Sequence, residues 1–169
     1  FHKCVRLARE DDAVVAIVLI GDGRTFSTGE DVEEFGKMTS GEDGLHSVLS
    51  ELESASKPIV CAIHGKALGG GFEIGLACHY RVAVPFAEIG LPAVTLGLIP
   101  AAGGTQRLPR LIGIAAAAEM AALGRSVKAP AAFKLGVIDA VIEDELLDGA
   151  IAYAQSIASD PCRRTSELT

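Results

Sequence analysis

Residues 59–78 read Ile59-Val60-Cys61-Ala62-Ile63-His64-Gly65-Lys66-Ala67-Leu68-Gly69-Gly70-Gly71-Phe72-Glu73-Ile74-Gly75-Leu76-Ala77-Cys78, a strand, a glycine loop and a helix in succession. The first five are apolar on both faces, the pattern of a buried strand of parallel type. Three consecutive glycines at a helix start cost backbone entropy and bury no side chain. They make sense where a ligand approaches the backbone and uses the free amides of the first helical turn. Those amides carry the positive end of the helix dipole and can hold an anion or a developing oxyanion. Tight helix–strand packing is the competing reading of the same glycines. Glu73 follows within the first turn, among Phe72, Ile74, Leu76 and Ala77. A carboxyl in that company is partly desolvated, which raises its pKa and suits proton transfer, unless it only favours the helix N-terminus.

Working outward, the pattern repeats. Ala13-Val14-Val15-Ala16-Ile17-Val18-Leu19-Ile20 is a second continuous apolar run, closed by Gly21-Asp22-Gly23. It leads to Phe26-Ser27-Thr28-Gly29-Glu30-Asp31-Val32, where Gly29 precedes a short acidic helix over residues 31–35 and exposes a second set of amides. Two amide clusters at the ends of neighbouring strands can converge on one carbonyl oxygen, although Ser27 and Thr28 are also ordinary helix caps. Helices are expected over residues 1–10, 45–54, 105–112, 114–123, 129–135 and 145–158, and further strands over 80–84, 87–90 and 137–142. Residues 91–104 read as loop. Strands alternating with helices give an α/β architecture with several parallel crossings. Residues 1–158 form the core, and 159–169, without an apolar period, read as linker or tail.

Composition narrows the function. The 169 residues are 49% hydrophobic and 22% charged, enough for a buried core in a single domain or a piece of a larger one. A net charge of −7 argues against nucleic acid as a partner, since phosphate neutralisation needs clustered Lys and Arg. No apolar run reaches the roughly 18 residues of a membrane span. Cys4, Cys61, Cys78 and Cys162 form no CxxC and HExxH is absent, so no metal site is expected. Cys61 and Cys78 read as small core residues of a reducing compartment. His64 and His79 read as structural histidines. No phosphate loop, dinucleotide fingerprint or GxSxG elbow is present. The chain opens on Phe1 in what reads as mid-helix, so a trimmed or partial chain is expected.

Four blocks carry a resemblance: residues 26–32; residues 62–73; Gly90-Leu91-Pro92 through Leu96-Gly97-Leu98-Ile99-Pro100; and Gly103-Gly104-Thr105-Gln106-Arg107-Leu108-Pro109-Arg110. Together, and in this order, they resemble the crotonase, or enoyl-CoA hydratase/isomerase, superfamily. Residues 77–83 and Arg163-Arg164 look closest to the hydratase part of multifunctional fatty-acid β-oxidation enzymes. The resemblance implies a spiral of ββα turns that binds an acyl-CoA thioester, here without the family's N-terminal hairpin and C-terminal helices. It implies that the Glu30 and Gly70 backbone amides hold the thioester oxygen and stabilise an enolate. It implies substrate contacts at Thr28, Gly29, Asp31, Lys66, Leu68, Gly69, Gly71, Pro92 and Gly97, with Lys3 and Lys66 as candidate phosphate cations. Of the family's two catalytic glutamates the first matches Glu73. The second falls in Gly90-Leu91-Pro92-Ala93, where Ala93 has no proton to give or take, and Ala101 replaces a usual glycine.

The leading expectation is thus a lyase of enoyl-CoA hydratase type, adding water syn to a trans-2-enoyl-CoA, with Glu73 as acid/base and hydration weakened at Ala93. A silent acyl-CoA-binding or assembly module, and a different enolate-forming reaction using Glu73 alone, stay open beside it. No cofactor beyond the acyl-CoA substrate is implied. The family's habits suggest a homotrimer or hexamer, or fusion to a hydroxyacyl-CoA dehydrogenase domain. They also suggest an intracellular, cytoplasmic location, peroxisomal or mitochondrial in a eukaryote.

Overall fold

A computed structural model describes residues 2–29 and 44–168. The short acidic helix expected over residues 31–35, together with Glu30 and Asp31, lies outside them. In chain order the elements are helix α1 (His2–Glu10), strand β1 (Ile17–Ile20), α2 (Leu45–Glu53), β2 (Ile59–Ile63), β3 (Lys66–Leu68), α3 (Gly70–Ala77), β4 (Tyr80–Ala83) and β5 (Glu88–Gly90). A 3-10 turn, Pro92–Leu96, leads to α4 (Gly104–Ile112), α5 (Ile114–Leu123), β6 (Ser126–Lys128), α6 (Ala129–Leu135), β7 (Ala140–Val141) and α7 (Leu146–Ser156).

The main sheet has the order β1-β2-β4-β7 and is parallel throughout. A second sheet, β3-β5-β6, is parallel across its first pair and antiparallel across its second. After β2 the chain adds β3 to the second sheet and then helix α3. After β4 it adds β5 and then the α4–α5 pair. Each turn contributes one strand to each sheet plus helix, so parallel neighbours are joined by crossovers, as they must be. That is the ββα spiral.

β2 is central and all five of its residues are buried, as the unbroken apolar run requires. Phe72 and Leu76 of α3 and Leu49 and Leu52 of α2 are buried in the same core. Each such side chain contributes about 1.5–3 kcal/mol relative to exposure. Helix α3 is apolar nearly all round because it packs against α2, α4 and strands β3 and β4, which leaves only Gly70 and Ile74 half-buried.

Four elements differ from expectation. β1 is shorter than residues 13–20 because Val14 N–H donates to Asp11 O at 2.9 Å and Ala13 N–H to the Asp11 carboxylate at 2.9 Å. A turn thus consumes the start of the run, and β1, at the sheet edge, is only half-buried. β3 occupies three residues of the expected glycine loop. β6 is a further short strand, with both end residues exposed. Of residues 137–142 only Ala140–Val141 pair in the sheet, because Val137 N–H closes the end of α6 on Ala132 O at 2.9 Å.

Residues 159–169, expected as linker, pack on the body as far as they are described. Arg163 pairs with Asp139 and lies 4.8 Å over the Tyr80 ring. Thr165 Oγ1, buried, donates to Leu76 O at 3.1 Å. The segment lacks an apolar period because polar groups hold it. Arg81, fully buried, ties three elements together: Nε donates to Val137 O at 2.7 Å, Nη1 to Cys78 O at 2.9 Å and Gly75 O at 3.2 Å, and Nη2 faces Asp139 at 3.5 Å.

Candidate active site

The two glycine loops lie side by side. Ser27 bridges Ala67 in parallel register, its N–H donating to Lys66 O at 3.1 Å and its carbonyl accepting from Leu68 N–H at 3.0 Å. Gly71 must be glycine because a Cβ there would fall 2.3 Å from Ser27 O. A Cβ on Gly29 would lie 3.1 Å from Gly70 N, so the residue preceding Glu30 abuts the first helical amide. Gly70 opens α3, where an N–H has no intrahelical acceptor, and it finds none among the described residues.

Glu73 sits less than one turn further on, 3% exposed. Its Oε1 accepts the Gly104 N–H at 2.7 Å, and the Ala102 N–H also donates to the carboxylate. Burial raises its pKa, and the opposing pull of the two amides and of the Arg107 and His46 charges does not cancel that rise. Gly104 is as constrained as Gly71, since a Cβ there would meet Glu73 Oε1 at 2.9 Å.

Gly70 and Glu73 share the wall of a cavity of about 380 Å³ with Thr28, Gly29, Gly69, Pro92 and Ala93. Leu45, Leu96, Leu98 and Ile99 give the same cavity an apolar lining that the sequence reading had not singled out. Glu73 is the one titratable side chain among the described lining residues. Four candidates stand off the cavity wall. Lys66 is exposed on β3 near Glu88, Leu68 continues that strand, Gly71 is buried against Ser27, and Gly97 closes the 3-10 turn. Glu30 and Asp31 lie outside the described residues, and Lys3 is exposed on α1.

His64 and His79 are occupied elsewhere. His79 Nδ1 accepts the Ile59 N–H at 3.0 Å and Nε2 faces Glu53 O at 3.3 Å. Burial lowers its pKa, so it stays neutral. His64 Nε2 meets Gly23 O at 3.2 Å. Cys61 and Cys78 are buried and unbridged, and burial pushes the Cys61 thiol up, which makes it inert.

Glu73 and His79 have opposite effects on stability against pH. The Glu73 pKa is raised on folding, so its contribution is complete below pH 4.5 and is lost as pH rises through the folded value. The His79 pKa is lowered, so its contribution is complete above pH 6.5 and is lost as pH falls. Glu73→Gln is neutral at every pH and leaves His79 in place. Its urea midpoint is expected to match the parent at about pH 4 and to exceed it increasingly towards about pH 8. A difference independent of pH contradicts the burial assignment.

A family model described as enoyl-CoA hydratase/isomerase matches residues 2–169. The chain belongs to that family. It is 47% identical over 169 residues to the peroxisomal bifunctional enzyme of Danio rerio, covering 99% of this chain and 23% of that protein. It is 45% identical over 161 residues to the Arabidopsis thaliana peroxisomal fatty acid beta-oxidation multifunctional protein AIM1, covering 90% and 22% respectively. Among solved structures, an enoyl-CoA hydratase from Bacillus anthracis superposes with a TM-score of 0.82 at 37% identity, over 94% of this chain and 64% of that one. The chain thus spans about a fifth of the multifunctional relatives and about two thirds of the solved hydratase.

Proposed function

We propose that the chain binds the thioester of an acyl-CoA with its carbonyl oxygen between the Gly70 N–H and the Glu30 amide, and that Glu73 is the acid/base of the pocket. The observation that carries this is the Gly70 N–H, without an acceptor among the described residues, beside Gly29 and on one cavity wall with the buried Glu73 carboxyl. Amides aimed at developing charge in a dry site stabilise an enolate without reorganising. The reaction this supports is syn hydration of a trans-2-enoyl-CoA. The amides draw electrons from the thioester, and Glu73 positions a water and takes its proton as oxygen adds to the β-carbon.

Ala93 lines the same cavity and its methyl transfers no proton, so the α-carbon takes its proton from solvent and Glu73 releases to solvent the one it took from water. A missing general acid costs about 10²–10⁴ in rate. The same methyl favours a second reading, a silent acyl-CoA-binding module, and leaves room for another enolate-forming step that needs only Glu73. Thr28, Gly29, Gly69 and Pro92 are the assigned substrate contacts from the cavity wall. Asp31, Lys66, Leu68, Gly71 and Gly97 belong to the assignment through the family pattern alone. The relatives' names support a role in fatty-acid β-oxidation and, in a eukaryote, the peroxisome. Fusion to a hydroxyacyl-CoA dehydrogenase domain, or a trimer or hexamer, is the assembly we assign, with no cofactor besides the substrate. Loss of crotonyl-CoA absorbance tests the reading: slow turnover is expected, falling to the buffer rate in Glu73→Gln. Turnover that survives this substitution overturns the role of Glu73.

A further inference from the structure

Near Glu73, and outside the cavity lining, lies an ion pair that the proposed chemistry does not use. Arg107 of α4 donates from Nε and Nη2 to Glu53 Oε2 at 3.2 and 2.9 Å, and from Nη1 to Ala102 O at 3.1 Å. A Cβ on Gly103 would fall 2.3 Å from Nη1, so the guanidinium lies against the residue between the two amides that hold Glu73. Both side chains are 13% exposed. Glu53 is anchored in turn. Its Oε1 accepts the Ser166 N–H at 2.8 Å, and its carbonyl accepts from Arg164 Nε at 3.2 Å. Burial works to raise the Glu53 pKa, but Arg107 and Ser166 together hold it below its ordinary value, so the pair is charged.

We propose that Arg107, anchored on Glu53, is a positioning residue for Glu73, gripping the 102–104 turn so that its two amides aim the carboxyl into the cavity. A planar fork reaches the carboxylate and the Ala102 carbonyl at once; an ammonium on a flexible stem does not. The C-terminal segment enters the same chain of contacts through Ser166 and Arg164. Only the reaction that the positioning serves rests on the function proposed above. The contacts themselves do not.

The test uses the whole chain labelled with ¹³C at the glutamate carboxyls, the Glu73 signal being identified by its absence from Glu73→Gln. The variants are Arg107→Lys, Arg107→Gln and Glu53→Gln, with Arg110→Gln, an exposed arginine of the same helix, as control. Among the described residues Arg107 and His46 are the charged or titratable groups that act on Glu73, and Arg107→Lys keeps the charge. In Arg107→Lys and Glu53→Gln the Glu73 signal is expected to move and its titration midpoint to change, while Arg110→Gln leaves both as in the parent. With crotonyl-CoA, kcat is expected to fall about 10- to 100-fold and KM to change little, as for a misplaced catalytic group. A folded Arg107→Lys whose Glu73 signal titrates as in the parent overturns the proposal. If the signal moves as expected but no form turns over crotonyl-CoA, the positioning role stands and the hydratase reading fails. Should Arg107→Gln not fold, Arg107→Lys and Glu53→Gln, which keep size and a hydrogen-bonding head, carry the same decision.

Discussion

Ala93→Glu is expected to raise the rate of crotonyl-CoA hydration by about 10²–10⁴-fold, the range over which one positioned general acid acts. Position 93 lies in the 3-10 turn Pro92–Leu96 and opens onto the cavity that Glu73 also lines. The neighbouring Gly97 and Thr95 hydrogen bonds hold the turn whatever the side chain at 93, since Gly97 N–H donates to Val94 O at 3.0 Å and Thr95 Oγ1 to Pro92 O at 2.7 Å. In the hydration proposed above, a carboxyl added there supplies the proton that the α-carbon would otherwise take from solvent. Two carboxyls in one cavity also push their pKa values apart, which keeps one protonated near neutral pH. The gain should vanish when Glu73→Gln is combined with Ala93→Glu. A folded Ala93→Glu with unchanged turnover favours the binding-module reading.

Arg81→Ala is expected to destabilise the fold by about 3–5 kcal/mol, the usual cost of removing one partner of a buried ion pair. Against a total stability of roughly 5–15 kcal/mol this is enough to unfold much of the population. The loss has a specific origin. Val137 O, Cys78 O and Gly75 O lose a donor inside the core, and among the described residues Asp139 keeps Arg163 and the Arg81 backbone N–H. Arg81→Lys restores the charge but not the fork and should recover only part of the stability. Urea unfolding checks both; a loss below about 1 kcal/mol for Arg81→Ala contradicts the tie.

What could be read from sequence followed how local the physics is. β2 and α3 were legible because five apolar residues on both faces, then three glycines, leave few alternatives. That the Gly29 and Gly70 loops lie side by side was legible in kind, since both follow strands that pair with each other. The burial of Glu73 was legible in direction from its apolar company along the chain, but not the distant groups that close over its carboxyl, Ala102 and Gly104. The β3 strand was not, because three residues between glycines carry no period. Nor was the Glu53–Arg107 pair, whose partners are 54 positions apart and meet only when α4 closes on the end of α2. The contacts of residues 163–166 were hidden for the same reason: polar groups that bond distant carbonyls leave no pattern along the chain. Lys66 shows the converse, a residue matched by the family pattern whose exposed side chain stands off the cavity.

Polarisation of a bound thioester by the backbone amides at the start of α3 is open to direct test. The most direct measurement is the ultraviolet difference spectrum of cinnamoyl-CoA, whose absorbance reports that polarisation without requiring turnover. A saturable red shift is expected in the parent chain, kept in Glu73→Gln and in Ala93→Glu, because neither substitution touches the amides. Cinnamoyl-CoA that binds with no shift, or does not bind, contradicts it.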